Sequence, residues 1–231
     1  MNRKIKFSVG EYYHIYNRGV DKRDIFMDKY DYDRFLLLLK ICNSNLSVDV
    51  RKMKRGKVSE GLAFANEDQA LVDIGVWCLM PNHFHMLVTE KVDGGISLYF
   101  QKLLTAYSMY FNGKYERKGS LFQGRFQAKH ANTDNYLKYL YSYIHLNPVK
   151  LIQANWREKG LINLKSVQNF LEGYKYSSYL DYSGRIRDEN NILNTKAFPE
   201  YFESRESFQD NLSDWLHFNP DILDISTFPK V

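Results

Sequence analysis

Residues 71–89 read LVDIGVWCLMPNHFHMLVT, two apolar segments of strand length on either side of a Pro-Asn pair. The first segment, 71–80, is rich in branched and aromatic residues, as is typical of a β-strand. Pro81-Asn82 supplies turn chemistry, and residues 83–89 return as a partner strand. This stretch predicts an antiparallel hairpin, around which the rest of the fold can be arranged.

The segments that flank the hairpin extend it to a small sheet covered by helices. They are a strand over 10–19, a helix over 31–42, an amphipathic helix over 96–111, a strand over 120–130, and a helix from Thr133-Asp134 to Leu146 that Asn147-Pro148 ends. The order strand, helix, strand, strand, helix, strand, helix predicts an α+β fold. We expect a ferredoxin-like βαββαβ sandwich, with an antiparallel sheet and helices on one face, plus an additional helix and a C-terminal tail.

Two stretches lie outside this core pattern. Residues 44–70 are polar and irregular and contain a basic run, Arg51 to Lys57, so we interpret them as a loop or a short hairpin insertion. Residues 176–231 carry 5 basic against 10 acidic residues. We therefore expect one domain over 1–180, with the insertion at 44–70, and an acidic C-terminal extension over 181–231.

Composition places the chain among globular proteins. Of its 231 residues, 44% are apolar, which excludes a disordered chain. No window approaches 18 consecutive apolar residues, and the basic start runs into Gly10-Glu11 without an apolar core, so we expect neither a membrane span nor a signal peptide. Cys42 and Cys78 lie far apart in apolar surroundings, which favours two buried thiols in a reduced, cytoplasmic protein.

Positive charge is concentrated in two blocks of the sequence. Residues 1–60 carry 14 Lys and Arg against 8 Asp and Glu, and residues 114–175 carry 11 against 4. If the two blocks converge in the fold, they form a positive surface suited to a phosphate backbone. A mixed, solvated surface is the alternative.

His83 and His85 stand two residues apart in the second strand of the hairpin, so both project to the same face. The opposite, core-facing side takes Phe84, Met86 and Val88. Two neutral imidazoles side by side can hold one divalent metal if further ligands come from elsewhere. The alternative is that one or both histidines only pack or lie on the surface. The remaining histidines lack a partner at this spacing and are interpreted as structural: His14, His130, His145 and His217.

The helix that ends before Pro148 holds four tyrosines within eight residues. Residues four apart share a helix face, so Tyr143 and Asn147 lie together. A phenol and a carboxamide at this spacing can present a nucleophile and a neutral oxygen ligand to the same metal. Ordinary aromatic core packing is the alternative for most of these tyrosines.

Five short motifs in this order resemble the single-strand tyrosine transposases of the HUH type. Pro81–Val88 resembles their metal-binding motif of His, hydrophobic residue, His, and Tyr143–Lys150 is similar to their catalytic helix. The other three pieces are Asn17–Gly19, Leu121–Phe126 and Tyr176–Tyr179. Together they resemble the branch of REP-associated tyrosine transposases.

The resemblance implies metal-dependent cleavage and transfer of single-stranded or hairpin DNA by a nucleoid-associated protein, as a monomer or a homodimer. Tyr143 would be the nucleophile, while His83, His85 and Asn147 would hold Mg²⁺ or Mn²⁺. Attack of the phenol on a phosphodiester leaves a 5′-phosphotyrosine and a free 3′-hydroxyl. Because the phosphotyrosine link conserves the energy of the broken bond, rejoining to a new strand needs no ATP. The sequence agrees with this, since it holds no P-loop and no dinucleotide-binding glycine motif.

Cations would hold the DNA backbone and aromatic faces would contact the bases. The candidate DNA-binding residues are Asn17, Arg18, Lys22, Arg23, Arg125, Lys129 and Lys150. Two other interpretations stay open. The first is a domesticated nickase or a replication-initiator-like protein, with the same chemistry, that does not mobilise DNA. The second is a non-catalytic nucleic-acid-binding module on a ferredoxin-like sheet.

Overall fold

The computed structural model describes residues 5–46, 69–161 and 163–217. Its centre is a four-stranded sheet in which every pairing is antiparallel and the strand order is β2-β3-β1-β4. The strands are β1 (Tyr12–Arg18), β2 (Val72–Met80), β3 (His83–Glu90) and β4 (Gln127–His130). The predicted hairpin is therefore the β2–β3 pair, and the α+β, ferredoxin-like fold is confirmed.

Two helices, α1 (Lys29–Ile41) and α2 (Gly95–Lys114), cover one face of the sheet. Helix α1 begins at a capping box in which the Asp28 and Asp31 side chains each accept a hydrogen bond from the other residue's backbone N–H. Lys114, at the end of α2, lies 2.6 Å from the buried Asp31 carboxylate and so ties the end of α2 to the start of α1.

A third helix, α3 (Asp134–His145), packs on the opposite face of the sheet. Thr133 caps it by accepting a hydrogen bond from the Tyr136 backbone N–H. A register shift between Ile74 and Val76 sends these two residues to opposite faces, because a bulge adds one residue to the strand. Since α1 and α2 cover one face and α3 covers the other, both faces of the sheet are buried. The candidate site lies on the face covered by α3.

The strand expected over 120–130 is confined to Gln127–His130. The preceding residues pass across the end of β1 as a loop: the Gln123 N–H donates to the Arg18 carbonyl, and Gly124 has a φ of +85°. Left-handed backbone at Gly124 turns the chain away from the ladder before β4 begins.

The remaining α-helices of the described residues follow α3 in the chain. They are α4 (Trp156–Lys159), α5 (Leu164–Gly173), α6 (Tyr179–Tyr182) and α7 (Arg205–His217). Phe208 and Leu212 of α7 pack in the same apolar cluster as Leu146, and Asn194 donates its backbone N–H to the Ile74 carbonyl of β2. The boundary predicted after residue 180 stays a prediction.

Parts of two predicted segments, the insertion at 44–70 and the acidic extension, lie outside the described residues, at 47–68 and 218–231. In the described part of the chain, no helix has the length and apolar character needed to cross a bilayer.

Candidate active site

The two histidines of β3 lie side by side, as the alternation of the strand predicts. Their ring centroids are 4.9 Å apart, with the rings nearly perpendicular. Phe84 and Met86 point the other way, into the core beneath α1 and α2. His85 is only 2% exposed, whereas His83 is partly exposed at the rim of the site.

Tyr143 of α3 lies over His85, the buried member of this pair. Its ring centroid is 5.5 Å from that of His85, and the two rings meet edge to face at 83°. The tyrosine is 6% exposed. The rings of Tyr143 and His85, predicted from separate motifs, are therefore in contact.

Asn147 follows α3 and is fully buried. Its amide nitrogen donates to the Tyr143 carbonyl at 3.0 Å, which satisfies one end of the helix. The Oδ1 atom is buried and has no hydrogen-bond partner among the described residues. A buried carbonyl oxygen without a donor is the kind of group that accepts a cation, so the side chain fits the role of a neutral oxygen ligand.

The histidines are in the protonation state that metal binding requires. Burial, together with the charges of Arg18 and Lys150, lowers the pKa of His83 to about 3. Burial also lowers the pKa of His85 well below its ordinary value. The Nδ1 atom of His83 lies 2.5 Å from the Asn82 Oδ1, an acceptor, so His83 carries its proton on Nδ1 and keeps a lone pair on Nε2.

A cluster of three or more His, Cys, Asp or Glu able to hold a metal does not occur within residues 5–46, 69–161 and 163–217. Any ion held here would therefore combine the two imidazoles with ligands of another kind, such as the Asn147 amide oxygen or a substrate phosphate. A donor set of two neutral imidazoles and an amide accommodates a divalent cation, and the orphaned Asn147 oxygen supports that fit.

Two residues of the site escape the motif-based prediction. His14 of β1 is fully buried, and its Nε2 atom lies 2.9 Å from Nδ1 of His85, so it contacts the proposed metal pair although its spacing in the sequence does not link it to that pair. Arg157 of α4 places its guanidinium carbon 4.6 Å from the centre of the Tyr143 ring. Strand alternation could have revealed His14, since even-numbered residues of β1 face α3, but no local pattern singles out Arg157.

The other histidines have partners away from the site. His130 lies 2.5 Å from the Glu11 carboxylate, and His145 lies 2.8 Å from the Ser178 hydroxyl, which in turn accepts from the Trp77 N–H. These contacts agree with structural roles. The side chain of His217 lies outside the described residues.

Several cations surround the histidines, as convergence of the two basic blocks predicts. Arg18 and Lys150 act on His83, Lys150 and Arg157 act on His85, and Lys129 acts on His14, each lowering the pKa of its histidine in addition to burial. Burial, followed by the charge of Arg157, lowers the pKa of Lys150 to about 8. The surroundings of the histidines are therefore electropositive.

The remaining DNA-binding candidates lie on the adjoining loops. Lys22 and Arg23 are exposed after β1, with Arg23 paired to Asp21 at 3.1 Å, and Arg125 is exposed in the loop before β4. Asn17 differs because it is 3% exposed and its amide nitrogen donates to the Gly124 carbonyl at 3.2 Å. As a DNA contact, Asn17 stays a prediction.

Fold and site together define an α+β protein in which the His-x-His strand and a tyrosine on a covering helix meet on one face of the sheet. Within that class, residues 60–147 match the family model described as "Transposase IS200 like". The matched region contains His83, His85, Tyr143 and Asn147. The resemblance to the tyrosine transposases is thus confirmed.

A solved structure of a REP-associated tyrosine transposase bound to a REP hairpin is similar in fold to this chain. It matches with a TM-score of 0.50 at 13% sequence identity, and the match covers 88% of this chain and 99% of that one. At this identity the likeness concerns the fold. A comparison with curated proteins gives no match.

Proposed function

We propose that this protein is a metal-dependent transposase or nickase that cleaves and rejoins single-stranded DNA through a 5′-phosphotyrosine at Tyr143. The observation that carries the proposal is the position of the Tyr143 ring, 5.5 Å from the ring of His85 and on the same face of the sheet. The transposase family match over residues 60–147 supports it.

The residues that would hold a divalent metal, Mg²⁺ or Mn²⁺, are His83, His85 and Asn147. Such an ion would act as a Lewis acid toward the scissile phosphate and the departing 3′ oxygen. The chain's own contribution is to keep both imidazoles neutral by burial, to fix the His83 proton on Nδ1, and to leave the Asn147 oxygen without a competing donor.

Tyr143 carries out the covalent step. Its phenolic oxygen attacks phosphorus, the bond from phosphorus to the 3′ oxygen breaks, the phenol loses its proton, and the 3′ oxygen leaves as a hydroxyl. The reverse attack by a 3′-hydroxyl on the phosphotyrosine rejoins a strand and releases the phenol.

Arg157 favours the reactive form of this phenol. Burial raises the pKa of Tyr143, while the charge of Arg157 and contact with Asn147 lower it again. A guanidinium 4.6 Å from the ring therefore opposes the effect of burial and stabilises the phenolate as it forms.

The substrate that we propose is single-stranded or hairpin DNA. The similar solved structure holds a REP hairpin, and Arg18, Lys129 and Lys150 supply positive charge around the imidazoles of this chain. Lys150 is half-buried and lies in the turn that follows the Tyr143 helix. From this position it can contact a backbone phosphate of DNA bound near Tyr143.

The test is the formation of a covalent adduct. We would incubate the protein with Mn²⁺ and a labelled pool of DNA hairpins with randomised single-stranded flanks, then separate the products under denaturing conditions. We expect a protein–DNA band that disappears in Tyr143→Phe and persists in Tyr139→Phe, one helical turn earlier. Persistence of the band in Tyr143→Phe would move the nucleophile elsewhere, and no band for the unmodified protein would favour the non-catalytic binding module.

A further inference from the structure

His14 is a buried, polar residue that the proposed mechanism does not yet use. It lies on β1 beside Tyr16, the residue that pairs with His85 across the β1–β3 ladder. The His14 and His85 rings are nearly parallel, at 27° and with centroids 5.1 Å apart. A single contact joins them, from Nε2 of His14 to Nδ1 of His85 at 2.9 Å.

Two neutral imidazoles can share one proton across this contact in two ways. In the first, His85 carries its proton on Nδ1 and donates it to His14, which leaves the lone pair of His85 on Nε2. In the second, His14 donates from Nε2, and His85 must then carry its own proton on Nε2. Only the first arrangement leaves His85 a free nitrogen with which to bind a metal.

In the first arrangement His14 carries its own proton on Nδ1, and in the second arrangement this nitrogen carries the lone pair; no described residue accepts from it or donates to it, so its surroundings do not select either arrangement. Nδ1 of His14 is buried and has no hydrogen-bond partner among the described residues. The contact with His85 is thus the polar interaction that keeps His14 in this place, since an imidazole buried without one is costly.

We propose that His14 is a positioning residue of the metal site: it accepts the Nδ1 proton of His85 and so directs the Nε2 lone pair of His85 toward the ion. This inference rests on the proposed metal site. It assigns to His14 the part that a carboxylate or a backbone carbonyl plays behind most histidine ligands. His83 has the same arrangement, with the Asn82 amide oxygen as its acceptor.

The test compares substitutions that differ in their ability to accept this proton. In His14→Gln the side-chain oxygen can reach the place of Nε2, whereas the side chain of His14→Asn is one methylene too short, and His14→Leu has no acceptor. We would titrate each variant with Mn²⁺ alone by calorimetry and confirm folding by thermal unfolding. His130→Gln, a histidine substitution on the neighbouring strand and away from the site, is the matched control.

We expect His14→Asn and His14→Leu to bind Mn²⁺ about 10- to 100-fold more weakly than the unmodified protein, and His14→Gln and His130→Gln to bind it almost as well. Folded His14→Leu with unchanged affinity would overturn the inference and leave the metal site intact. No Mn²⁺ binding by the unmodified protein would instead overturn the metal site, and the role of His14 with it.

A second measurement needs no substitution and so does not depend on how the variants fold. The protein is prepared with ¹⁵N-labelled histidine and loaded with Mg²⁺, because this ion is diamagnetic. Long-range ¹H–¹⁵N correlation spectra then report the tautomer of each histidine ring. We expect His85 to be protonated on Nδ1 in the Mg²⁺ complex. Protonation of His85 on Nε2 in that complex would overturn the inference.

Discussion

The Tyr143 ring stands edge-on to the His85 ring, 5.5 Å away, although β3 and α3 are separated in the chain by α2 and β4. The sheet brings them together because β3 is a central strand whose α3-facing side is buried beneath the tyrosine helix. This contact, inside the region that matches the transposase family model, is the basis of the proposed function. The following predictions test separate parts of that account.

The first prediction concerns Arg157 and the reactivity of the phenol. Arg157→Leu removes the positive charge that lowers the pKa of Tyr143. The rate of adduct formation should fall by about tenfold at neutral pH, a figure in keeping with a cation–π contact of 1–2 kcal/mol. Because the phenol pKa then rises, the pH at which the rate reaches half its maximum should shift upward.

Arg157→Lys is the control for the charge, since it keeps a cation near the ring. It should retain most of the rate and show a smaller shift of the pH profile. Identical pH profiles for Arg157→Leu and the unmodified protein would contradict a role for this guanidinium at the nucleophile.

The second prediction concerns DNA affinity. Lys150→Gln should weaken binding of single-stranded DNA and reduce the slope of log affinity against log salt by about 0.7, as expected for the loss of one phosphate contact. Lys138→Gln is the matched control, because Lys138 is an exposed cation on the Tyr143 helix itself. The slopes are measured by fluorescence anisotropy. Equal slopes for the two variants would show that Lys150 does not contact a DNA phosphate.

The third prediction separates structure from binding at Asn17. The buried Asn17 side chain donates a hydrogen bond to the Gly124 carbonyl and accepts one from the Arg18 backbone N–H. Because Asn17→Ala removes both hydrogen bonds, it should lower the free energy of unfolding by about 1–3 kcal/mol. Urea titration measures this directly. A fully stable Asn17→Ala with weaker DNA binding would favour the DNA contact predicted from its motif.

The fourth prediction is a loss of stability in mild acid. Burial lowers the pKa of His14, His83 and His145 to about 3, whereas each titrates near 6.5 in the unfolded chain. Between these values the unfolded state binds more protons, so stability is complete above pH 6.5 and falls as the pH drops from there toward 3. Each histidine contributes up to about 1.4 kcal/mol per pH unit.

Urea unfolding of the metal-free protein at pH 7 and pH 5 measures this effect. We expect a markedly lower transition midpoint at pH 5. A midpoint that does not change between the two pH values would show that these imidazoles are not buried in their neutral form.

Periodicity and motif spacing were sufficient for much of the site. The two-residue period of β3 placed His83 and His85 on one face, and the helical period placed Tyr143 near Asn147. Alternation along β1 puts His14 on the same face as Tyr16, but its approach to His85 also needs the β1–β3 register, which pairs Tyr16 with His85 and which a single segment does not give. Arg157 contacts Tyr143 from a helix of four residues that follows an irregular turn. So short a segment has no hydrophobic periodicity from which the position of Arg157 could have been predicted.

The strand end at Gln127 shows the same limit. Residues 120–126 carry strand-like composition, but the backbone turns at Gly124, and Asn17 and Arg18 hold this loop by side-chain and main-chain contacts. Tertiary hydrogen bonds of this kind outweigh local propensity.

The proposed function depends above all on covalent attachment of Tyr143 to the 5′ end of a cut strand. The most direct measurement is mass spectrometry of the protease-digested adduct formed by the unmodified protein with hairpin DNA and Mn²⁺. We predict a peptide in which Tyr143 carries a 5′-phosphorylated nucleotide, together with a released fragment that ends in a 3′-hydroxyl. Attachment to another residue, or a cut strand with no attached peptide, would contradict the account.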